Sequence, residues 1–239
     1  MSAAGAAVNI IATVCARGGS KGLPGKNLRS FAGKPLIAHT IAQALACPLI
    51  GGVFVSTDDE RIAEVARECG AQVPYRRPAE LATDGAPKLP VIEHLVQHIE
   101  ATGRRIDLIV DLQPTSPLRT ASDLIEAIEA SSRAELVVSV TEPSHNPYFS
   151  MAEARPDGTL RPSMPNRNVS RQQAPVVYGL NGSIYVWRRA ALAHAATAGF
   201  WTVTIVPYVM PRSRSVDIDA LEDFELAEWY HARRETDMP

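Results

Sequence analysis

Residues Ala16-Arg17-Gly18-Gly19-Ser20-Lys21-Gly22-Leu23-Pro24-Gly25-Lys26-Asn27 place three cations among four glycines. Glycine lets backbone N–H groups approach an anion closely, and Arg17, Lys21 and Lys26 add positive charge, so this segment suits a triphosphate. It is not G-x-x-x-x-G-K-[ST]: counted from Gly19, Pro24 stands where the second glycine belongs, and Asn27 takes the Ser/Thr place after Gly25-Lys26. Nor is it G-x-G-x-x-G, which disfavours a dinucleotide enzyme. A rival chemistry shares these residues. Gly18-Gly19-Ser20-Lys21-Gly22 satisfies G-x-S-x-G, the nucleophile elbow of serine hydrolases. Against it, only one strand precedes Ser20, no HGGG-like oxyanion loop lies upstream, and the flanking cations would have no task.

A second constellation is Ser215-Val216-Asp217-Ile218-Asp219. In extended backbone, alternate residues face the same way, so Asp217 and Asp219 would offer two hard oxygen ligands to Mg²⁺ together with nucleotide phosphates and water. The plainer alternative makes Asp219 a helix N-cap with Glu222 at N3, and Asp217 a turn residue. Third is Asp111-Leu112-Gln113-Pro114-Thr115-Ser116-Pro117-Leu118-Arg119, where Gln113 and two hydroxyls follow an apolar run and would meet a ligand or simply make a turn. Arg77-Pro78-Ala79-Glu80-Leu81-Ala82-Thr83-Asp84 and Arg171-Gln172-Gln173 are weaker signals. His94 and His98 have the i, i+4 spacing of a zinc helix, but Leu95 stands where H-E-x-x-H needs its Glu. Trp187, Trp201 and Trp229 read as core or pocket walls.

The elements that must position these groups alternate. Residues 8–15 form a β-branched run suited to a strand covered on both faces. A helix starts near Pro35 and carries Leu36, Ile37, Ile41 and Leu45. Residues 51–57 read as a strand, and Asp58 or Asp59 caps a helix through Ile62, Val65 and Ala66 that stops at Gly70. Residues 71–77 look strand-like. The spacing then predicts helix 89–102 stopped by Gly103, strand 105–112, helix 120–131 and strand 135–142. This rhythm argues for an α/β fold, an open, mostly parallel sheet with helices on both faces and ligands at the strands' carboxyl ends. Between Pro143 and Pro175 it breaks, and Pro156-Asp157-Gly158 turns between two short segments, which marks an excursion. Strand 182–188, a short helix 190–196, strand 202–210 and a last helix opened by Asp219 follow, with Leu221, Phe224, Leu226 and Trp229 available for packing.

The chain of 239 residues is 46% hydrophobic and 21% charged, which is a globular composition. Lys+Arg 24 against Asp+Glu 26 give a net charge of -2, so no global field draws it to nucleic acid or an anionic membrane. Three cysteines, Cys15, Cys47 and Cys69, show no C-x-x-C spacing, which argues against a disulfide or thiolate-zinc framework and for a reducing cytoplasm. Residues 1–8 lack the pattern of a signal peptide. Residues 35–57 carry no charge over a membrane-spanning length, but Pro48, Gly51 and Gly52 interrupt them, so a buried helix and strand are expected.

Taken together, ARGGSKGLPGKN, RPAELATD, LQPTSPLRT, RQQ, NGSIY and SVDID, spread from about Ile10 to Trp229, resemble the acylneuraminate cytidylyltransferases, the CMP-sialic acid synthetases, with the motifs in the family's order. The resemblance implies a Rossmann-like sheet of the nucleotide-diphospho-sugar transferase type in one domain over 1–239. It also implies a homodimer in which an inserted dimerisation and lid excursion, 143–175, helps cover the neighbour's site. The implied reaction joins CMP from CTP to a nine-carbon keto-sugar acid, releasing diphosphate, with Mg²⁺ as cofactor. Arg17, Gly18, Gly19, Ser20, Lys21, Lys26 and Asn27 would cradle the phosphates and ribose, with Arg77 near the cytosine. Gln113, Arg171, Asn181 and the pair Phe200-Trp201 would border the sugar, and Asp217 and Asp219 would hold the metal. Arg17, Lys21, Lys26 and Asp217 are the implied catalytic set, and no side chain stands out as general base. Lys21-Gly22-Leu23-Pro24-Gly25-Lys26-Asn27 departs from the S-x-R-L-P-G-K-P of Kdo enzymes. Where sialic acid enzymes often read R-P-N-G-[AS]-I-Y, this chain has Gly179-Leu180-Asn181-Gly182-Ser183-Ile184-Tyr185, so an expected sugar-side arginine is absent and legionaminic or other bacterial nonulosonic acids become candidates.

Overall fold

A computed structural model describes residues 8–19, 22–164 and 170–236, without the side chains of Arg171, Glu235 and Thr236. In chain order the elements are β1 (Ile10–Cys15), the short pair β2 (Ser30–Phe31) and β3 (Lys34–Pro35), α1 (Leu36–Ala46), β4 (Val53–Ser56), α2 (Glu60–Glu68), α3 (Lys88–Glu100), β5 (Leu108–Leu112), α4 (Ala121–Ala130), β6 (Leu136–Thr141), β7 (Ala152–Ala154), β8 (Leu160–Pro162), β9 (Gly179–Arg188), α5 (Arg189–Ala198), β10 (Ile205–Val209) and α6 (Leu221–Thr236). Six strands form one sheet in the order β10-β6-β9-β5-β1-β4.

Strands β4, β1 and β5 run parallel, with Ala12 beside Val53 and Val110. Their residues are buried on both faces apart from Cys15, as the unbroken apolar runs predicted. Helices α1, α2 and α4 cover one face through Ile37, Ile41, Ile62 and Leu124, and α3 and α5 cover the other through Ile92, Leu95, Ile99 and Leu192. A third apolar cluster, Phe31, Leu36, Leu118, Ile218 and Phe224, docks α6 beside the glycine loop. Residues 35–57 are α1 and β4, and no helix among the described residues is long and apolar enough to cross a membrane.

The structure corrects several expectations. Residues 71–77 contribute only isolated bridges, Phe54 with Gln72 and Thr57 with Arg76, because Pro74 and the turn behind it cannot continue a ladder. Of the residues assigned to packing, Leu45, Leu221, Leu226 and Trp229 are exposed, while Phe224 is buried. Helix α6 therefore docks by a narrow stripe. Asp219 is not the side-chain cap of that helix: Asp223 Oδ2 accepts from the amides of Asp219 and Ala220 at 3.1 and 2.9 Å, which leaves the Asp219 carboxylate free for other work. Strand β9 is antiparallel to both neighbours, and a register shift between Val138 and Val140 accompanies Gly182 at φ 74°. Its amino end therefore lies at the same sheet edge as the carboxyl ends of β1 and β5. Between β6 and β9, the β7–β8 hairpin turns at Gly158 (φ 82°) and is exposed along both strands.

One buried carboxylate ties α4 to the carboxyl-end loops. Asp123 closes a capping box with Thr120, accepts from Arg214 Nη2 at 2.8 Å and from Tyr208 Oη at 2.9 Å, and its side chain is wholly buried. Burial alone would raise its pKa, but the hydrogen bonds from Arg214, Thr120 and Tyr208 outweigh it and hold the group below its ordinary 3.8. The sign follows from linkage: this stability is fully present above 3.8 and is lost as pH falls through the lower folded value. Asp123→Asn should therefore cost about 3 kcal/mol at pH 7, because Arg214 loses its buried partner, and should flatten the loss of stability below pH ~4. Urea unfolding of both proteins across pH 3 to 7 measures this, and parallel profiles would reject it.

Candidate active site

The loop after β1 is tied down at both ends. The Gly18 amide donates to Asp58 Oδ1 at 3.1 Å, and a Cβ on Gly18 would stand 2.8 Å from Asp59 Oδ2, the same carboxylate group that caps α2. Gly25, at φ 68°, starts the turn Lys26–Leu28. There Asn27 is buried, donates Nδ2 to the Arg17 carbonyl at 3.0 Å, and leaves Oδ1 without a partner. Lys26 Nζ donates to the Ile218 carbonyl and to Asp219 Oδ1, both at 2.7 Å. A Cβ on Gly22 would collide with the Asp219 carbonyl, so only glycine permits this approach.

Arg17, Gly22, Lys26, Asn27 and Asp219 line a cavity of about 400 Å³ at the carboxyl ends of β1 and β5. Arg17, Lys26 and Arg77 bring positive charge to it, and Gln113 and Thr115 form the facing wall. Arg17 is half-turned to solvent and pairs with Asp84 at 2.5 Å. Arg77 is buried, with Nε donating to Ser56 Oγ at 3.0 Å. Cys15 also borders the cavity, but burial, aided by Asp111, pushes its thiol up to about 12, so it is no thiolate nucleophile. No histidine is among the described residues lining this cavity.

Of the acidic pair, Asp219 lines this cavity, and Asp217 lines a neighbouring one and is bonded to the shared wall through Thr115. Thr115 Oγ1 donates to Asp217 Oδ1 at 2.6 Å while accepting from Gln113 Nε2 at 2.9 Å. Burial, with help from nearby Asp219, raises the Asp217 pKa despite the bond from Thr115. Beneath the loop, the fully buried Arg119 donates to the Gln113 carbonyl, to Ser183 Oγ at 3.0 Å and to Thr40 Oγ1 at 3.3 Å. Gly182 packs against Gln113 so closely that a Cβ would overlap its amide. Asn181 lies inside the protein with its amide fully used: Oδ1 accepts from Ser139 Oγ, and Nδ2 donates to Ser215 Oγ at 2.9 Å. It braces the acidic segment from below.

A second cavity of about 590 Å³ opens beside the first, walled by Tyr185, Trp187, Phe200, Trp201 and Leu180. Phe200 packs edge-on against Tyr185 and Trp187, and Trp201 is three-quarters exposed. Of the sequence-expected residues, Arg17, Lys26, Asn27, Arg77, Gln113 and Asp219 converge on the first cavity, Asp217 stands behind Thr115, and Phe200 and Trp201 line the second. Gly19 is exposed in an open position. Ser20 and Lys21 lie outside the described residues, as does the side chain of Arg171, whose backbone starts the turn Arg171–Gln173. Sequence reasoning missed Lys88, and it quoted Asp111, Arg119 and Tyr185 within motifs without giving them a role. A carboxylate within the apolar run of β5 was the available signal, because a buried charge needs a partner.

A cation-lined cavity at the carboxyl ends of parallel strands lies where an open α/β sheet takes its ligands. The family model described as Cytidylyltransferase matches residues 11–154, and the chain belongs to this family. It is 35% identical over 224 residues to CMP-N,N'-diacetyllegionaminic acid synthase of Legionella pneumophila, covering 92% of this chain and 95% of that one. It is 34% identical over 223 residues to post-translational flagellin modification protein B of Campylobacter coli, covering 92% and 94%. The fold matches a solved CMP:2-keto-3-deoxy-manno-octonic acid synthetase complexed with CTP at TM-score 0.72 and 17% identity, over 95% of this chain and 99% of that one. The expected α/β sheet of nucleotide-sugar transferase type is therefore the observed one.

The Gly22–Asp219 contact gives a direct test. Gly22→Ala should push the loop off the Asp219 carbonyl and weaken CTP binding by roughly 10-fold or more with the fold intact. Calorimetric titration with CTP, beside a circular dichroism melt, measures both, and unchanged affinity would show that the contact does not shape the cavity.

Proposed function

We propose that this chain transfers the cytidylyl group of CTP to a nonulosonic acid and releases diphosphate. The observation that carries this reading is the adjacency of a cation-lined, glycine-walled cavity to an apolar, aromatic-walled one, which is what a nucleotide and a deoxy, acylated sugar require. Family membership and the Legionella relative support it. Gly179 stands where an arginine was expected, and the neighbouring Leu180 adds apolar surface to the second cavity, which together favour a diacetyllegionaminic-type acid over N-acetylneuraminate.

In this reading the sugar's anomeric hydroxyl attacks the α-phosphorus in line, the α–β bridging bond breaks, and diphosphate leaves with that electron pair. Such chemistry needs positioning and charge neutralisation more than covalent help. Arg17, Lys21 and Lys26 neutralise the phosphates, Arg77 sits toward the base, and the unpartnered Asn27 Oδ1 accepts from a ribose hydroxyl. Gln113 orients the sugar, and Arg171 is a further sugar-binding residue in this reading. Asn181 acts indirectly, by holding Ser215 and hence the acidic segment.

The donor set fits magnesium. Asp217 and Asp219 offer hard oxygens, and no group of three or more metal-ligating side chains exists among the described residues, so phosphate oxygens and water would complete the sphere. A divalent ion also matches a buried carboxylate whose charge burial and its neighbour disfavour. When bound, Mg²⁺ would polarise phosphate oxygens and lower the pKa of the attacking hydroxyl. Within the chain itself, Thr115 keeps Asp217 aimed and Lys26 keeps Asp219 beside it.

Exposed Phe149, Met151, Leu160 and Met164 on the excursion support a homodimer with 143–175 at its interface, which sedimentation velocity tests directly. For the reaction, a sugar-acid panel with CTP and Mg²⁺, read as diphosphate release, should show turnover that requires both substrates and is highest with diacetyllegionaminic acid. Asp217→Asn should lower kcat by about 100-fold or more while the melting temperature holds. A near-normal rate with Mg²⁺ would remove the metal role. Ser20→Ala should retain transfer activity, whereas a serine hydrolase would lose everything.

A further inference from the structure

The two cavities share one side chain. Among the described residues that line them, Lys88 alone borders both, and it is the only cation in the apolar one. It stands at the first residue of α3. Its ammonium lies 2.7 Å from Asp111 Oδ2 and 4.5 Å from the centre of the Tyr185 ring. Asp111 is fixed in turn, with a side chain 1% exposed and Oδ1 accepting from Thr13 Oγ1 at 3.0 Å. The lysine is exposed, with 43% of its side-chain surface accessible, because both cavities open onto it. Desolvation lowers its pKa, but the negative charge of Asp111, aided by Tyr185, more than compensates, so the pKa is raised and the group is a cation.

A lone ion pair at a cavity floor is a weak source of stability. An ammonium has three N–H donors, and Asp111 occupies one side of it. The position matters more. On the reading of the reaction given above, the bond forms between the α-phosphorus of a nucleotide in the first cavity and the C2 oxygen of a sugar acid in the second. C2 carries the C1 carboxylate, so that anion must lie where the cavities meet. We propose that the Lys88 ammonium, aimed by Asp111, receives the C1 carboxylate of the sugar acid and thereby turns the anomeric hydroxyl toward the nucleotide. Lys88 is then a specificity-determining residue: it selects an acid over a neutral sugar of the same shape, and the aromatic wall reads the remainder.

The test compares the wild type with Lys88→Met, Lys88→Arg and the double variant Lys88→Met/Asp111→Leu. The double variant removes both charges, so no uncompensated carboxylate is left to unfold the protein. Each is assayed with CTP and the sugar acid or its C1 carboxamide, alongside a thermal melt and calorimetric CTP binding. In Lys88→Met and the double variant, the KM for the acid should rise about 10- to 100-fold, the KM for CTP should stay within about twofold, and the preference for acid over carboxamide should fall to near unity. Lys88→Arg should keep part of that preference. An unchanged preference in a folded variant overturns the proposal, as does an equal rise in both KM values, which would assign the ammonium to the nucleotide. A wild type that releases no diphosphate with any acid of the panel overturns the reaction reading itself, and this inference with it.

Discussion

The Lys26 ammonium joins two stretches of chain that are 193 residues apart, holding the Ile218 carbonyl and the Asp219 carboxylate at once. Asp219 is largely exposed, so the ion pair itself contributes little free energy. Its importance is geometric. With Gly22 pressed against the Asp219 carbonyl, the cation-bearing loop and the carboxylate-bearing segment cannot drift apart, and charges of both signs share one wall of a small cavity. A triphosphate and a divalent ion each need one half of that arrangement. The hydrophobic contacts of Phe31, Leu118, Ile218 and Phe224 just beneath it supply the stability that the ion pair does not.

A second constraint comes from the strand that runs against the others. Antiparallel β9 lies between β5 and β6, so its amino end brings Gly182 to Gln113 and its middle brings Tyr185 beside Asp111. Strands β1 and β5 deliver Cys15 and Leu112 to the first cavity from their carboxyl ends. The reversed strand gives Leu180, Tyr185 and Trp187 to the second cavity and backs Gln113, on the wall of the first, with Gly182. Arg119, buried with only neutral partners in direct contact, holds the Gln113 carbonyl at this seam. Its pKa falls to about 9 by burial, which the fields of Asp111, Asp123 and Asp217 partly offset.

Much of this molecule was readable from local pattern. Unbroken apolar runs located β1, β4, β5 and β6, Asp59 and Thr120 marked helix starts, and Gly70 and Gly103 marked stops, because these signals depend on backbone conformation and nearest neighbours. Helix α6 was less readable. Its apolar residues Leu221, Leu226 and Trp229 suggested burial, but only the stripe containing Phe224 meets a partner, and which face docks depends on elements far away in sequence. The role of Asp219 was undecidable locally, since a cap and a lysine partner fit the same residue. Asp223 took the amides and Lys26 took the carboxylate.

By itself, the sequence determined the class of sheet, the cation-rich glycine loop and the acidic pair, since each is written in contiguous residues whose chemistry does not need a distant neighbour. Only the tertiary structure decided that β9 runs antiparallel, that Asn181 points inward, and that Lys88 and Asp111 meet where the two cavities join. The physical reason is that a buried charge is tolerable only beside its partner, and the partner of a residue on β5 stands on α3, in a loop-separated element whose approach is fixed by packing across the whole sheet.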